Sequence, residues 1–247
     1  MEKKVRCGFR VAWLIPWVSA TGMLVVVALS VNTANAVTVI AFNTGVDNSG
    51  TVLAGGSVDP HYKLILSPDS GFPGPSTFVV STSPAAWFAN SSSSKWIAPR
   101  SDQDTATNSS WGNAPGDYTY RTTFDLTGFD PTTARVNGEW ATDNVGLDIL
   151  INGTSTGLSD PGPGYVAFKA FSIDNGFVTG TNTLDFIVHN VMGSNPNPTG
   201  FRAELRVSAA PLPAAPTLSL PALMLLVVAL TLTAAISLRR VVATRGS

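Results

Sequence analysis

Residues 37–208 alternate short runs of β-branched and aromatic residues with Gly, Ser, Thr, Asn and Pro, and they contain no stretch of helical periodicity. The alternation is strongest from Asp117 to Leu126, where every second residue except Thr122 is aromatic or apolar. Successive side chains of a strand point to opposite faces, so this segment predicts a strand with one buried and one solvated face. The face predicted to be buried consists of Tyr118, Tyr120, Phe124 and Leu126.

Two later segments, Thr183 to His189 and Phe201 to Val207, have the same alternating pattern. Half-buried strands of this kind are typical of antiparallel sheets. Three charged side chains of the second segment are predicted to point to solvent, namely Arg202, Glu204 and Arg206.

A β-hairpin is predicted at Asn152-Gly153, because this dipeptide readily supplies the two positive φ angles of a type I′ turn. Five further segments are rich in strand-forming residues: Val37–Asn43, Tyr62–Leu66, Thr77–Ser81, Thr133–Ala141 and Val166–Phe171. Together these segments give about ten strands, enough for two packed sheets. The sequence therefore predicts an all-β sandwich domain over residues 37–208.

The stretch from Thr82 to Ala114 is rich in small polar residues and is predicted to form a long loop. It nevertheless carries three tryptophans, and an aromatic ring on a loop can stack on a sugar while polar neighbours bind the hydroxyls. The candidate ligand-binding residues are Trp87, Trp96, Trp111, Arg100, Asp102 and Asp104. The alternative is that the tryptophans close the end of the sandwich as core residues. Trp140, in a predicted strand, is expected in the core.

Residues 1–36 have the parts of a secretory signal peptide: a basic start, an apolar stretch from Val11 to Ser30, and a small-residue cleavage site at Ala34-Asn35-Ala36. Cleavage there would make Val37 the first residue of the mature chain. An uncleaved signal anchor is the alternative. The single cysteine, Cys7, lies in this segment, so no disulfide is expected in the mature chain.

Residues 209–221 are rich in Ala and Pro and are predicted to be a linker, and Ala222 to Leu238 are seventeen uncharged, mostly apolar residues. As a helix these would be about 25 Å long, at the short end of the range that spans a membrane. The basic tail, 239–247, is expected to stay in the cytoplasm, which places the β-domain outside. A buried core helix is the alternative, but the predicted domain has no other helix to pack against it.

Residues 37–209 carry eight basic against fifteen acidic side chains, a net charge of −7, without a Lys/Arg cluster. Nucleic-acid binding needs the opposite charge and is not expected. The two histidines have no cysteine nearby, and no catalytic or nucleotide-binding motif is found. The chain is therefore expected not to be an enzyme and to need no cofactor, although a structural calcium ion at Asp47 or Asp59 is left open.

The C-terminal region resembles the PEP-CTERM type of sorting signal, which an exosortase-type membrane enzyme recognises on exported bacterial proteins. Such signals join a short motif, one apolar helix and an arginine cluster. Here the motif is Pro216-Thr217-Leu218-Ser219 and the cluster is Arg239-Arg240. Compared with the Ile-Pro-Thr-Leu-Ser variant of the motif, Ala215 replaces Ile, and Leu220-Pro221 replaces an acidic-aromatic pair. The resemblance implies membrane anchoring, then processing and transfer to the cell surface.

The domain itself resembles the galactose-binding-like jelly roll of the β-galactosidase and β-glucuronidase class of glycoside hydrolases. Four segments follow the order found in that family: Tyr120–Leu126, Asp143–Gly153, Gly164–Phe168 and Thr181–Val188. The resemblance implies a jelly-roll fold. It implies no hydrolase activity, because the catalytic barrel of that class has no counterpart in this sequence.

These observations predict an exported, non-enzymatic β-sandwich that is tethered to the inner membrane or sorted to the cell surface. Its expected role is in cell-envelope or extracellular-matrix organisation, through contact with polysaccharide. One alternative is a carbohydrate-active enzyme, which would need two carboxylates facing one sugar ring. The other is a purely structural envelope protein, in which the three loop tryptophans would be inaccessible.

Overall fold

The computed structural model describes residues 35–106, 112–193, 197–213, 224–225 and 227–236. These residues form eleven strands. In chain order the strands are β1 (Val37–Val39), β2 (Val58–Leu66), β3 (Ser76–Val79), β4 (Ile97–Ala98), β5 (Gly116–Asp125), β6 (Phe129–Asp143), β7 (Val145–Ile151), β8 (Thr154–Ser155), β9 (Lys169–Ile173), β10 (Thr181–Asn190) and β11 (Gly200–Pro211).

All of these strands belong to one antiparallel sheet with the order β8-β7-β10-β5-β2-β3-β4-β11-β6-β9, and β1 pairs with β11 off this path. The sheet curls so that β5 and β10 face β6 and β11 across the main core. The ring centroids of Phe186 and Phe201 lie 4.6 Å apart there, and those of Trp140 and Phe186 lie 5.7 Å apart. The all-β prediction is confirmed, and the two facing layers are halves of one curled sheet rather than separate sheets.

The face of β5 predicted to be buried is confirmed, whereas Thr119, on the face predicted to be solvated, is also buried. Tyr118, Tyr120 and Leu126 are fully buried and Phe124 is 4% exposed. Burying aromatic and aliphatic surface contributes about 25 cal/mol per Å², and a slip of one residue would turn this whole row to solvent. The apolar row therefore fixes the register of β5 between β10 and β2.

Several strand bounds differ from the predicted ones. β9 begins at Lys169 rather than Val166, whose side chain is 56% exposed, and the two-residue strands β4 and β8 are too short to give a sequence pattern. β11 continues past Ser208 into the predicted linker, because Ala209 is fully buried and pairs with Val37. Pro211 is the last residue of β11.

The predicted hairpin is confirmed. Asn152 and Gly153 have φ angles of 50° and 78°, as a type I′ turn requires. The Asn152 side chain donates to the Asn182 side chain at 2.8 Å and accepts from the Thr183 amide at 2.9 Å. The turn is thus held to the start of β10.

The start of β1 and the end of β11 lie at the same end of the domain. Val37 pairs with Ala209, and the Leu212 amide donates to the Gly128 carbonyl at 2.8 Å. The opposite end carries the turn after Asp143, which pairs with Gly200.

Residues 224–225 and 227–236 are helical. Among the described residues, no helix combines the length and apolar character that a membrane span needs. The predicted span, 222–238, extends beyond the described residues at both ends, and residues 1–34 and the sorting motif lie outside them.

Candidate functional site

The segment between β3 and β4, residues 80–96, lies over the outer face of β6 and β11 and is called the covering loop here. Trp87 is 6% exposed and Trp96 is fully buried, with ring centroids 4.4 Å apart. They form a second core with three smaller residues, Val80, Ala98 and Ala141. Neither ring offers a face to a ligand, so the core alternative describes these two tryptophans. Trp111 lies outside the described residues.

Trp87 is fixed by a hydrogen bond to the end of β6. Its indole Nε1 donates to Asp143 Oδ2 at 2.8 Å, and Asn144 Nδ2 donates to Asp143 Oδ1 at 2.6 Å. Asp143 is 2% exposed. Burial raises the pKa of Asp143 to about 7, and the Trp87 hydrogen bond opposes that rise.

Gly200, which pairs with Asp143, leaves room for the Trp87 ring. A Cβ atom at this position would lie 2.3 Å from Trp87 Cη2. We expect Gly200→Ala to displace the ring and to lower the free energy of unfolding by about 1–3 kcal/mol. Urea unfolding measures this loss, with Gly71→Ala as the control, because Gly71 is exposed and an added Cβ atom there would contact only Asp69 Oδ1, at 3.3 Å; equal stability of the two variants would contradict the tight fit.

Arg202 corrects a prediction. It lies on the outer face of β11 as expected, but its side chain is only 1% exposed because the covering loop lies on it. The guanidinium donates three hydrogen bonds of 2.7 Å to that loop, to Ser94 Oγ, the Ala89 carbonyl and Ser91 Oγ. Arg202 thus holds the covering loop in place, a contact that the sequence pattern does not predict.

Three partly exposed rings, Phe88, Tyr165 and Phe168, pack on the second core and form what we call the aromatic patch. The Phe88 and Phe168 ring centroids lie 4.9 Å apart, and the guanidinium carbon of Arg202 lies 4.9 Å and 4.8 Å from them. The Phe88 amide donates to the Tyr165 carbonyl at 3.0 Å, which joins the covering loop to the segment before β9. The rings of Phe88 and Phe168, held by these contacts, can stack on a ligand without being reorganised.

Sequence reasoning did not select the aromatic patch as a site. Tyr165 and Phe168 belong to a segment noticed for its family resemblance, Phe168 also lies in a predicted strand, and Phe88 follows a selected tryptophan directly. Their grouping depends on contacts between segments about 80 residues apart, which no local pattern reveals.

The charged candidates near the covering loop, Asp102, Arg100 and Asp104, each contact other side chains or amides of the domain. Asp102 Oδ1 accepts hydrogen bonds from Ser81 Oγ at 2.9 Å and Thr82 Oγ1 at 2.8 Å, so it holds the start of the loop. The Arg100 guanidinium lies over the Phe72 ring, 5.4 Å from its centroid. Asp104 Oδ1 accepts from the Ala106 amide at 3.2 Å.

The two calcium candidates serve as acceptors for nearby loops. Asp47 Oδ1 accepts from the Ser49 amide and hydroxyl and from the Thr51 amide, and these hydrogen bonds lower the pKa of Asp47. Asp59 is fully buried and accepts from three amides, those of Gly45, His61 and Tyr62. Burial raises the pKa of Asp59. Within the described residues, no three His, Cys, Asp or Glu side chains are grouped as metal ligands.

A cleft of about 610 Å³ opens at the end where β1 and β11 leave the domain. None of the candidate ligand-binding or calcium-binding residues selected from the sequence lines it. The lining residues are Thr38, Val39, Ile40, Thr123, Phe124, Asp125, Thr127, Phe129 and Thr181.

No protein-family model matches this chain, and no curated protein shows significant sequence similarity to it. Among solved structures, CBM35 from Paenibacillus barcinonensis is 15% identical, with 59% of this chain and 92% of that chain covered and a TM-score of 0.32. A family 35 carbohydrate-binding module from an environmental isolate is 10% identical, with 55% and 88% covered and a TM-score of 0.30. Similarity this distant assigns neither a ligand nor an activity to the chain.

Proposed function

We propose that this chain is an exported, non-catalytic module that contacts polysaccharide through the aromatic patch. The main support is that three partly exposed rings, Phe88, Tyr165 and Phe168, pack together on buried tryptophans. A sugar ring has an apolar face of CH groups that packs on an aromatic ring, and the patch supplies such rings in fixed positions. The remaining polar contacts would come from the backbone and the serines of the covering loop.

The proposal includes a location for the module. A signal peptide over residues 1–36 would export the domain, and the C-terminal segment would tether it to the inner membrane until an exosortase-like enzyme processed it. These parts are supported by the sequence pattern and by the resemblance to sorting signals. In such a tethered chain the shared exit of β1 and β11 would face the membrane, and the turn after Asp143 would face away from it.

The test is polysaccharide binding by the purified full-length chain. Pull-down on insoluble cellulose, chitin and peptidoglycan, and affinity electrophoresis in xylan, mannan and alginate, cover neutral, amino and acidic polymers. We expect retention by at least one of them. Tyr165→Ala is expected to weaken this binding about tenfold, as the loss of one stacking contact predicts.

Val166→Ala is the matched control, because Val166 is the exposed neighbour of Tyr165 and carries no ring. It should bind as the unchanged chain does, and far-ultraviolet circular dichroism should show that both variants remain folded. Retention by no polymer, or unchanged binding by Tyr165→Ala, would overturn the proposal.

A further inference from the structure

Two strand edges without a neighbour meet at the cleft. Among the described strands, β1 pairs only with β11. β10 pairs with β5 as far as Asp125, whereas β2 pairs with it only from Thr119 to Arg121. The last four residues of β5 thus have no strand partner on the side away from β10 in the described part of the chain. Both edges, at Thr38–Ile40 and Thr123–Asp125, line the cleft.

An unpaired strand edge presents a row of backbone N–H and C=O groups that need hydrogen-bond partners. An extended peptide offers partners at the matching spacing and can add to such an edge as a new strand. Because both edges line the same cleft, a peptide bound there could pair with either edge or with both. The lining threonines could also bind a sugar, but hydroxyl groups alone give no reason for two unpaired strand edges at one cleft.

We propose that this cleft binds an extended polypeptide segment that carries a basic side chain. The three residues of β1 and the four free residues of β5 match a segment of about three to four residues at roughly 3.3 Å each. Because side chains alternate along a strand, one set would meet the apolar surface of Phe124 and Phe129, and the other would face the opposite wall.

The basic side chain is inferred from Asp125, the only ionisable side chain among the described residues that line the cleft. Its Oδ1 accepts hydrogen bonds from the Thr127 amide and hydroxyl, both at 2.8 Å. These bonds lower the pKa of Asp125, so the carboxylate stays ionised. A lysine or arginine of the bound segment would complement this charge.

The experiment uses the purified full-length chain and the peptide acetyl-Thr-Val-Lys-Val-Thr-amide. Binding is measured by calorimetry, and hydrogen exchange with mass spectrometry follows the amides of residues 37–40 and 122–125. We expect slower exchange in both segments and an unchanged β9. The same peptide with both valine amides N-methylated cannot donate to one edge, and we expect it to bind at least about tenfold more weakly.

Asp125→Asn tests the charge. We expect it to weaken binding of the lysine peptide about threefold, as for an exposed ion pair, and to leave unchanged a peptide with norleucine in place of lysine. Asp130→Asn is the matched control, since Asp130 accepts from the Thr132 amide and hydroxyl in the same manner but does not line the cleft.

Three results would overturn the proposal. One is no protection of the two segments at millimolar peptide, and another is equal affinity for the parent and N-methylated peptides. The third is protection of these segments by one of the polysaccharides but not by the peptide, which would assign the cleft to carbohydrate. Binding at the aromatic patch is scored separately through Tyr165→Ala, so failure of one proposal leaves the other intact.

Discussion

The free energy of unfolding is expected to rise as the pH falls from 8 to 5, and Asp143→Asn is expected to remove most of that rise. The cause is the burial of Asp143 beneath Trp87, which raises its pKa from 3.8 to about 7. A carboxyl group in this position is easier to keep in the native state when it carries its proton.

The direction of this pH dependence follows from the number of protons that the native and unfolded states bind. Between the unfolded-state pKa of 3.8 and the native pKa of about 7, the native state holds a proton that the unfolded state has released. Stability therefore decreases as the pH rises through this window and is lowest above the native pKa. A difference of about three pKa units corresponds to about 4 kcal/mol at most. Asp59 is also buried with a raised pKa, so it too lowers stability as the pH rises, and it does so both in the unchanged chain and in Asp143→Asn.

The measurement is urea unfolding of the full-length chain and of Asp143→Asn at several pH values from 5 to 8. For each protein the free energy of unfolding is plotted against pH. The difference between the two slopes gives the contribution of Asp143, because both proteins share all other titratable groups. Asp174→Asn, at a side chain that is 58% exposed, should keep the slope of the unchanged chain. If the free energy of unfolding depends on pH equally in the unchanged chain and in Asp143→Asn, the hydrogen bonds from Trp87 and Asn144 offset the effect of burial on the pKa of Asp143.

The strands that could be predicted from sequence are those whose own alternation decides which face is buried. β5 and β10 have long apolar rows, and these rows are buried as predicted. The hairpin at Asn152-Gly153 was predictable for a similar reason, because its two positive φ angles depend on the residues of the turn itself. Both features are local, so the sequence pattern and the fold agree.

The candidate site was less predictable, because it depends on contacts between distant segments. Alternation places Arg202 on the correct face of β11, but its burial depends on Ser91, 111 residues away in the chain. The tryptophans of the covering loop were selected for their residue type, and the structure uses Trp87 and Trp96 as the base on which other rings lie. The cleft exists because β2 parts from β5 after Arg121, a property of pairing that no single segment encodes.

The second large effect is expected at Arg202. Arg202→Ala should lower the free energy of unfolding by about 3–5 kcal/mol, because it removes three hydrogen bonds of a buried guanidinium and leaves the Ala89 carbonyl and two serine hydroxyls without their donor. Arg202→Met keeps apolar contact with Phe88 and Phe168, so its free energy of unfolding should fall by less. Arg206→Ala, at an exposed arginine of the same strand face, should stay within about 0.5 kcal/mol of the unchanged chain.

Urea unfolding gives these differences, and limited proteolysis shows where the structure opens. If the guanidinium holds the covering loop, Arg202→Ala should be cleaved within residues 80–96 while the strands, followed by far-ultraviolet circular dichroism, remain folded. Equal stability of Arg202→Ala and Arg206→Ala would show that the second core holds the loop without it. Since Phe88 and Phe168 lie against this guanidinium, a detached loop would also separate the rings of the aromatic patch. Polysaccharide binding should then be lost in Arg202→Ala and largely kept in Arg202→Met.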